Sequence, residues 1–535
     1  MPATHNLFLI GPDGSNDPLT AEVAGAKAAE LWRMARLGLT VPPAFVLSTG
    51  LCGPVNRGEE EAERALAQCL GEGIRYLERT TSRGFGDTRN PLLVSVRSGA
   101  ARSMPGMLET VLDVGLNAST VRGLVRLTGN PRLAWDSYRR FVQDFAEVVW
   151  GVPAAPFATQ LAALRRAESA KSDAELDPEA LERLALDYRR IASDSGGRPF
   201  PDDPVEQLAA AARAVYRSWD GEKARAYRHL NRLADLCGTA VTVQVMVFGN
   251  GGGRSGAGVA FTRNPATGAK ELYADFLFDA QGEDVVSGRR RPSDRNMLAQ
   301  RLPEVALALA KGAERLEREF RDMQDIEFTV EDAKLYFLQT RAGKRTPRAA
   351  LKIAVDLVRE GLIDESEALR RVGDIDPRTA GIARFVGVAK AIARATPASA
   401  GVAGGRVAFD SARANALSDQ GDPVILVRRE TSTEDILGFS VAAGILTSVG
   451  GRTSHAAVVA RQLGKVCLVG CPDLVVEGKK HRAAIAGLVI AEGDWLSLDG
   501  ESGEIYLGRR EIVRERPQAE LAAVEKWKAR FAAPA

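Results

Sequence analysis

At 535 residues the chain is too long for one ordinary domain and predicts roughly two to four, each with its own core. Hydrophobic residues make up 45% and charged residues 26%, while 71 Lys and Arg nearly cancel 69 Asp and Glu, so the summed charge favours neither nucleic acid nor an anionic membrane as partner. Five scattered cysteines without CxxC spacing argue against a disulfide framework and a structural zinc site, and no leader-like or 18-residue apolar segment is present; a soluble, cytoplasmic protein is expected.

In chain order, residues 1–345 alternate short β-branched runs with Ala-, Leu- and Arg-rich helical stretches, which predicts an α/β (α+β) nucleotide-type domain. The runs "LFLI", "LLVSVRS", "TAVTVQVMVFG", "GVAFT", "IEFTV" and "LYFLQT" read as strands; "GAKAAELWRMARLG" and "PEVALALAKGAERLEREFRDM" read as helices. Residues 113–235 are mostly helical in pattern and read as an insertion. A helical connector and hinge is expected over 346–400, ending in the Pro/Gly/Ala-rich "ATPASAGVAGG". A second α/β unit follows over 401–508, with strands at "PVILVRR", "AAGILTS", "VCLVG", "WLSLD" and "EIYLG", and 509–535 forms a C-terminal amphipathic helix.

Four stretches carry candidate chemistry. In "LLVSVRSGAARSMPGM", Arg97 ends a hydrophobic strand and Arg102 follows a small-residue turn beside Ser98, Gly99 and Ser103, a pattern suited to a phosphate clamp or to a solvated surface turn. Lys27, early in a helix, reaches a phosphate or merely caps an exposed face. "MVFGNGGGRSGAGVAFTR" places Gly251, Gly252 and Ser255 in a glycine-rich turn between two strands, either a cover over nucleotide phosphates or a plain hairpin. In "MQDIEFTVEDAKLYFLQTRAGKR", Asp325 and Glu327 share one strand face and Gln339 and Arg341 share another, so the pair of carboxylates could hold Mg²⁺ against phosphates, or the hairpin could simply carry a charged solvated face.

The fourth stretch is "GGRTSHAAVV", where His455, one of only four histidines, follows two glycines and two hydroxyl residues at a helix start. Thr453 or Ser454 would cap that helix. The N-terminal dipole would favour a neutral, nucleophilic imidazole and would stabilise a phosphoryl group attached to it. His5, His229 and His481 lack such a setting and read as structural.

Together "SVRSGAARSMPGMLETVLDVGLN", "AWDSYRRF", "GTAVTVQVMVFGN", "GVAFTRNPATG", "AQGEDVVSG", "MQDIEFTV", "LYFLQTRAGKR" and "GILTSVGGRTSHAAVVARQLGKVCLVGC" resemble the pyruvate phosphate dikinase family of PEP-utilising enzymes, in that family's order. The resemblance implies an ATP-grasp domain followed by a swivelling phosphohistidine domain. It implies nucleotide, phosphate and Mg²⁺ roles for Lys27, Arg97, Arg140, Glu283, Asp325, Glu327, Gln339 and Arg341, and a phosphocarrier role for His455. Thr453 stands where plant members carry a regulatory phosphorylation. Asp275 replaces the family's usual glutamate, and "GNGGGRSGAG" replaces its more acidic glycine loop.

The implied reaction is MgATP- and phosphate-dependent phosphorylation of His455 with release of AMP and pyrophosphate. The chain ends at Ala535 without the barrel in which the family binds pyruvate, so a separate PEP/pyruvate-type acceptor protein is expected. The alternatives are delivery to a phenol, sugar or antibiotic, cycling of ATP, phosphate and pyrophosphate alone, or a non-catalytic nucleotide-binding regulator.

Overall fold

The computed structural model describes residues 6–532 except 16, 103, 105–107, 234, 287–294, 388, 432–434, 452–453 and 479–480. It groups into two compact units, the first comprising Met1–Gly251 with Tyr336–Gln339 and the second Gly252–Leu335 with Thr340–Ala535. The region 1–345 is thus spread over both. No helix among the described residues is long and apolar enough to cross a membrane.

The first unit is built on an antiparallel sheet of β1 (Leu7–Ile10), β2 (Ala44–Leu47), β3 (Val94–Ala100), β4 (Thr110–Val114) and β5 (Thr239–Val245), in the order β1-β2-β5-β3-β4. Period-two alternation divides its central strands into two chemistries. Val94 and Val96 join Val241, Val243 and Val245 in the hydrophobic core, while Ser95 and Arg97 stand opposite Gln244 and Thr242 on the other face. The strand predicted to stop at Arg97 runs on to Ala100, which puts Arg97 in mid-sheet.

The helices of this unit include α1 (Ala26–Arg36), α2 (Glu60–Thr81), α3 (Pro131–Trp150), α4 (Pro178–Gly196) and α5 (Pro204–Ser218). The last three begin alike, because Asn130, Asp177 and Asp203 each precede a proline. Their side chains accept the N–H groups of Leu133, Ala180 and Val205 at 2.9, 2.7 and 3.0 Å. Proline at the first helical position loses no hydrogen bond, and each cap is worth about 1 kcal/mol. α1 is separated from the preceding turn Ala21–Ala24 by Gly25, whose φ is +77° and whose α-carbon lies so near β3 that a Cβ would stand 2.0 Å from the Gly99 carbonyl oxygen. Only glycine permits that approach, which sets the start of α1 against the strand carrying Arg97.

A second sheet, of β6 (Gly256–Phe261), β7 (Tyr273–Phe278), β8 (Gln324–Glu331) and β9 (Lys334–Ala342), has the order β9-β8-β6-β7 with β6 antiparallel to β8 and β7; apart from Tyr336–Gln339 of β9 it belongs to the second unit. Helix α6 (Pro303–Phe320) packs on it, and α7 (Pro347–Arg359) and α8 (Glu365–Val372) follow. Arg263, fully buried just past β6, donates to Glu317 of α6 at 2.7 Å and to Glu360 beyond α7 at 2.8 Å. The buried guanidinium thus joins a buried carboxylate on α6 to an exposed one beyond α7 and ties the connector to this sheet; removing Glu317 would strand the buried charge of Arg263.

Strand β10 (Ile382–Phe385) then leads to a mixed eight-stranded sheet: β11 (Ala393–Arg394), β12 (Thr396–Ser399), β13 (Val402–Ala408), β14 (Val424–Arg428), β15 (Gly444–Thr447), β16 (Val466–Val469), β17 (Trp495–Asp499) and β18 (Glu504–Leu507). Its order is β11-β18-β17-β13-β14-β15-β16-β12, with β13 to β16 parallel. The "ATPASAGVAGG" stretch, read from composition as a linker, therefore supplies β12 and the first half of β13. Small residues suit it to this place: a Cβ at Gly405 would lie 2.5 Å from the Pro423 carbonyl. Helix α9 (His455–Gln462) covers one face with Ala456, Ala457 and Ala460. Past the sheet, β19 (Ile512–Glu515) pairs with β10, and α10 (Gln518–Ala532) buries Val524 and Trp527 among Ile353, Leu357, Ala368 and Val372 of α7 and α8.

Candidate functional site

The first unit offers a cationic cluster. Arg97 Nη1 donates to Gln244 Oε1 at 3.3 Å and Nη2 to Gln339 Oε1 at 3.2 Å; both glutamines are buried, and Gln244 is held in turn by the Pro42 carbonyl at 3.3 Å. Among the described residues no carboxylate lies within ion-pairing distance of Arg97. Neutral amides fix the fork without neutralising it, leaving a net positive charge suited to phosphate. Lys27 sits half-buried in the first turn of α1, which Gly25 anchors against Gly99, two residues along β3 from Arg97. Arg102 is exposed beyond the strand, and Ser103 lies outside the described residues.

Arg140 is engaged elsewhere: its Nε donates to Asp136 Oδ2 at 3.1 Å, and Asp136 also binds Arg139 at 2.7 Å. Beside this group Asp113 of β4 is fully buried at φ +57°, and its Oδ1 has no hydrogen-bond partner among the described residues. Burial, with Asp144 nearby, pushes its carboxyl up to about 8 against the pull of Arg140.

The second unit holds an acidic face. Residues directly opposite in an antiparallel sheet share a face. Asp325 of β8 faces Phe261 of β6 and then Tyr273 of β7; the next row runs Glu327, Val259, Asp275. Three carboxylates thus share one side of the sheet. Arg341 of β9 donates from Nε to Asp325 Oδ2 at 2.8 Å and places Nη2 3.8 Å from Glu327 Oε1. Asp325 is buried, and its Oδ1 lacks a hydrogen-bond partner among the described residues. Burial raises its pKa above the ordinary aspartate range, with Glu327 acting the same way, while Arg341 opposes.

A divalent cation fits this chemistry. An anionic oxygen that is buried and unmatched is costly unless a cation meets it, and Asp325 with Glu327 offers hard oxygen ligands. No group of three or more His, Cys, Asp or Glu among the described residues is arranged to hold a metal, so two carboxylates would leave the remaining positions to water and substrate oxygens, the usual Mg²⁺ arrangement.

The glycine turn is tied to its own unit. Gly252 N–H donates to Asp279 Oδ1 at 3.2 Å, and Ser255 Oγ accepts from Asp332 N–H at 3.0 Å, so the hydroxyl expected to meet a phosphate is committed to a backbone amide. Gly251 is exposed, Glu283 belongs to the short helix Gly282–Val286 but its side chain lies outside the described residues, and so do Thr453 and His5.

His455 is the first residue of α9, after the loop leaving parallel strand β15. Its side chain also lies outside the described residues. Ser454 occupies the cap position, but its Oγ makes no capping bond, which differs from the expected hydroxyl cap. Gly450, at φ +117°, makes the turn; its carbonyl oxygen would stand 2.7 Å from a Cβ on Gly470. The carboxyl end of a parallel strand and the start of a helix meet here, a place where backbone N–H groups face anions. Sequence reasoning passed over Gln244, a lone amide in a β-branched run, and Arg461, a lone cation in the small apolar helix "HAAVVARQ".

Two family models match the chain. The family model for the pyruvate phosphate dikinase AMP/ATP-binding domain matches residues 61–307 and 299–361, and that for the mobile domain of PEP-utilising enzymes matches 420–503. The chain belongs to the pyruvate phosphate dikinase family. Pyruvate, phosphate dikinase 2 of Zea mays is 44% identical over 516 residues, covering 95% of this chain and 58% of the relative. Pyruvate, phosphate dikinase of Clostridium symbiosum is 44% identical over 514 residues, covering 95% and 59%. For pyruvate, phosphate dikinase 1 of Arabidopsis thaliana the figures are 43% over 509 residues, 94% and 52%. The chain therefore spans between 52% and 59% of these relatives' length, and it carries the nucleotide-binding and mobile modules of a dikinase.

Proposed function

We propose that the chain is a phosphotransferase that uses MgATP and phosphate to phosphorylate His455, releasing AMP and pyrophosphate. The observation that carries this reading is the place of His455, at a helix start beyond a parallel strand, in a chain that also holds the Asp325–Glu327 pair. A helix start disfavours imidazolium and accommodates a phosphoryl anion, which suits a histidine that is first nucleophile and then carrier.

In the proposed sequence a ring nitrogen of His455 bonds to the β-phosphorus of ATP as the bond to the α-phosphate oxygen breaks and AMP departs. Inorganic phosphate then attacks the terminal phosphorus of the pyrophosphorylated histidine and leaves as pyrophosphate. One phosphoryl group remains on His455. Lys27 and Arg97 bind phosphate oxygens, with Gln244 and Gln339 holding the Arg97 fork in orientation; Arg341 moves from its carboxylates toward the charge that develops on the transferred group. Asp325 and Glu327 are the residues to hold Mg²⁺, which when bound neutralises and aligns phosphate oxygens. We assign residues 1–345 to ATP and phosphate binding and 401–508 to the mobile carrier, with β10 and β19 as the two-stranded passage between connector, carrier and tail. Pyruvate, named in the relatives, is the proposed final acceptor.

Incubation with β-³²P-ATP, Mg²⁺ and phosphate should give acid-labile label on the parent chain and none on His455→Ala. Absence of label from the parent, or equal label on the variant, would overturn the reading.

A further inference from the structure

Arg461 lies six residues along α9 from His455, on the same helix, and is fully buried. Its Nη1 donates to the Ala398 carbonyl of β12 at 2.8 Å, whereas Nε and Nη2 have no hydrogen-bond partner among the described residues. A buried guanidinium with two unmatched nitrogens is costly unless negative charge lies near. The neighbouring groups supply it. The guanidinium carbon stands 5.4 Å from the centre of the Phe261 ring, and Phe261 lies directly between Asp325 and Tyr273 in their row across the acidic face. The Tyr273 hydroxyl donates to the Pro397 carbonyl at 3.0 Å, next to the carbonyl that receives Arg461. The carrier sheet and the acidic sheet therefore meet at this point within the second unit. Burial pulls the Arg461 guanidinium below its usual value, and Tyr273, Cys467, Asp325 and Asp275 all act against that pull, the two aspartates being the groups that carry negative charge near neutral pH; Arg461 in turn acts on Asp325.

We propose that Arg461 is a positioning residue that holds the His455 helix to the acidic face by attraction to Asp325 and Asp275, and so couples occupation of the metal site to the placement of the phosphocarrier. The proposal rests on the reading of Asp325 as a metal ligand. A cation arriving at Asp325 cancels part of the field that makes burial of Arg461 tolerable, and Arg461 in turn opposes the cation. Such coupling is reciprocal. Negatively charged substrate phosphates brought with the metal restore an anionic partner for the two unmatched nitrogens, so metal alone loosens the contact and the metal–nucleotide pair re-forms it.

The test is titration of Mn²⁺ into the nucleotide-free full chain, followed by electron paramagnetic resonance, for the parent, Asp325→Asn, Arg461→Met and Arg461→Lys. Met keeps the bulk and removes the charge; Lys keeps the charge and loses the fork. Arg461→Met should bind Mn²⁺ about three- to tenfold more tightly, as expected when a nearby like charge is removed from a partly buried site. Arg461→Lys should stay within about twofold of the parent. At saturating MgATP, labelling of His455 should slow at least tenfold in Arg461→Met and recover in part in Arg461→Lys. Unchanged Mn²⁺ affinity in Arg461→Met, or equal losses in the Met and Lys variants, would overturn the proposal while leaving the phosphotransferase reading standing. Mn²⁺ binding in the parent that Asp325→Asn does not weaken would overturn both the proposal and the metal assignment. Labelling that fails in the parent, alongside the predicted Mn²⁺ shifts, would overturn the phosphotransferase reading and the placement of the phosphocarrier, while the electrostatic link between Arg461 and the metal site would hold.

Discussion

Arg97 and Arg341 bear the same guanidinium in opposite circumstances. Arg97 is fixed by two neutral glutamine oxygens at 3.3 and 3.2 Å and keeps its charge uncompensated; Arg341 sits 2.8 Å from Asp325 and 3.8 Å from Glu327. An arginine oriented by amides is preorganised for an incoming anion, because nothing anionic need be displaced. An arginine paired with carboxylates occupies ground that a metal cation, on the proposed reading, would claim, and would be released on that cation's arrival. The first unit thus presents a waiting cation, and the second presents waiting anions covered by a placeholder.

The largest effect should come from breaking the first arrangement. Arg97→Met removes the uncompensated charge and should lower the rate of His455 labelling by about 10²–10³-fold, the usual scale for losing a preorganised donor to developing charge. The variant should melt within about 2 °C of the parent, since amide bonds to a half-buried arginine are modest in net worth. Near-parental labelling would remove Arg97 from the transfer step.

Next in size is the carboxylate side. Asp325→Asn keeps the shape and a hydrogen bond to Arg341 but loses the anion, so Mn²⁺ affinity should fall about 10–100-fold, with labelling falling in parallel. Glu327→Gln should weaken the metal less, because Glu327 is only loosely matched to Arg341. Equal or reversed effects of the two changes would dissolve the distinction drawn between them.

The pH dependence of metal binding gives a finer test. Burial raises the Asp325 pKa, so as pH falls a proton should compete with the metal earlier than at an exposed aspartate. Mn²⁺ affinity measured from pH 7 down to 4.5 should begin to decline above the ordinary carboxylate range, and in Asp325→Asn the onset of that decline should move to lower pH. A profile flat to pH 4.5 in the parent would contradict the raised value.

The smallest effect concerns Asp113, a buried carboxylate whose Oδ1 has no hydrogen-bond partner among the described residues. Its proton is held in the folded state to about pH 8 and released near the ordinary aspartate value when unfolded. Between those values the native state binds the extra proton, so stability should fall as pH rises. Asp113→Asn, which tolerates φ +57° and mimics the protonated form, should therefore stabilise by about 1–2 kcal/mol at pH 8, on the scale of relieving an unmatched buried polar group. The gain should shrink toward pH 5 in thermal melts. An equal gain at both values would trace the effect to backbone preference alone.

Period-two alternation over short range made the strands carrying Arg97, Asp325 and Arg341 legible, as did the break from a β-branched run to a small-residue helix at His455. Of the strand Thr110–Val114 only the last two residues fall in the stretch 113–235 with helical pattern, and five residues are too few to stand out; Tyr273–Phe278 has too little alternation to do so. The Pro/Gly/Ala-rich stretch before Gly405 misled because small residues that mark linkers also allow the close backbone approach demanded by a central strand.

The sequence by itself determined which residues could do phosphoryl chemistry, because charge, hydroxyl and imidazole belong to the side chain and local period decides which of them share a face. Tertiary structure alone decided their partners. It gave Arg97 two amides from distant strands, gave Arg341 to Asp325, drew Ser255 into a backbone contact, and brought Asp275 and Arg461 to the acidic face. The reason is physical: a side chain's charge is written locally, but whether that charge is matched, buried or left waiting depends on groups that only the fold brings near.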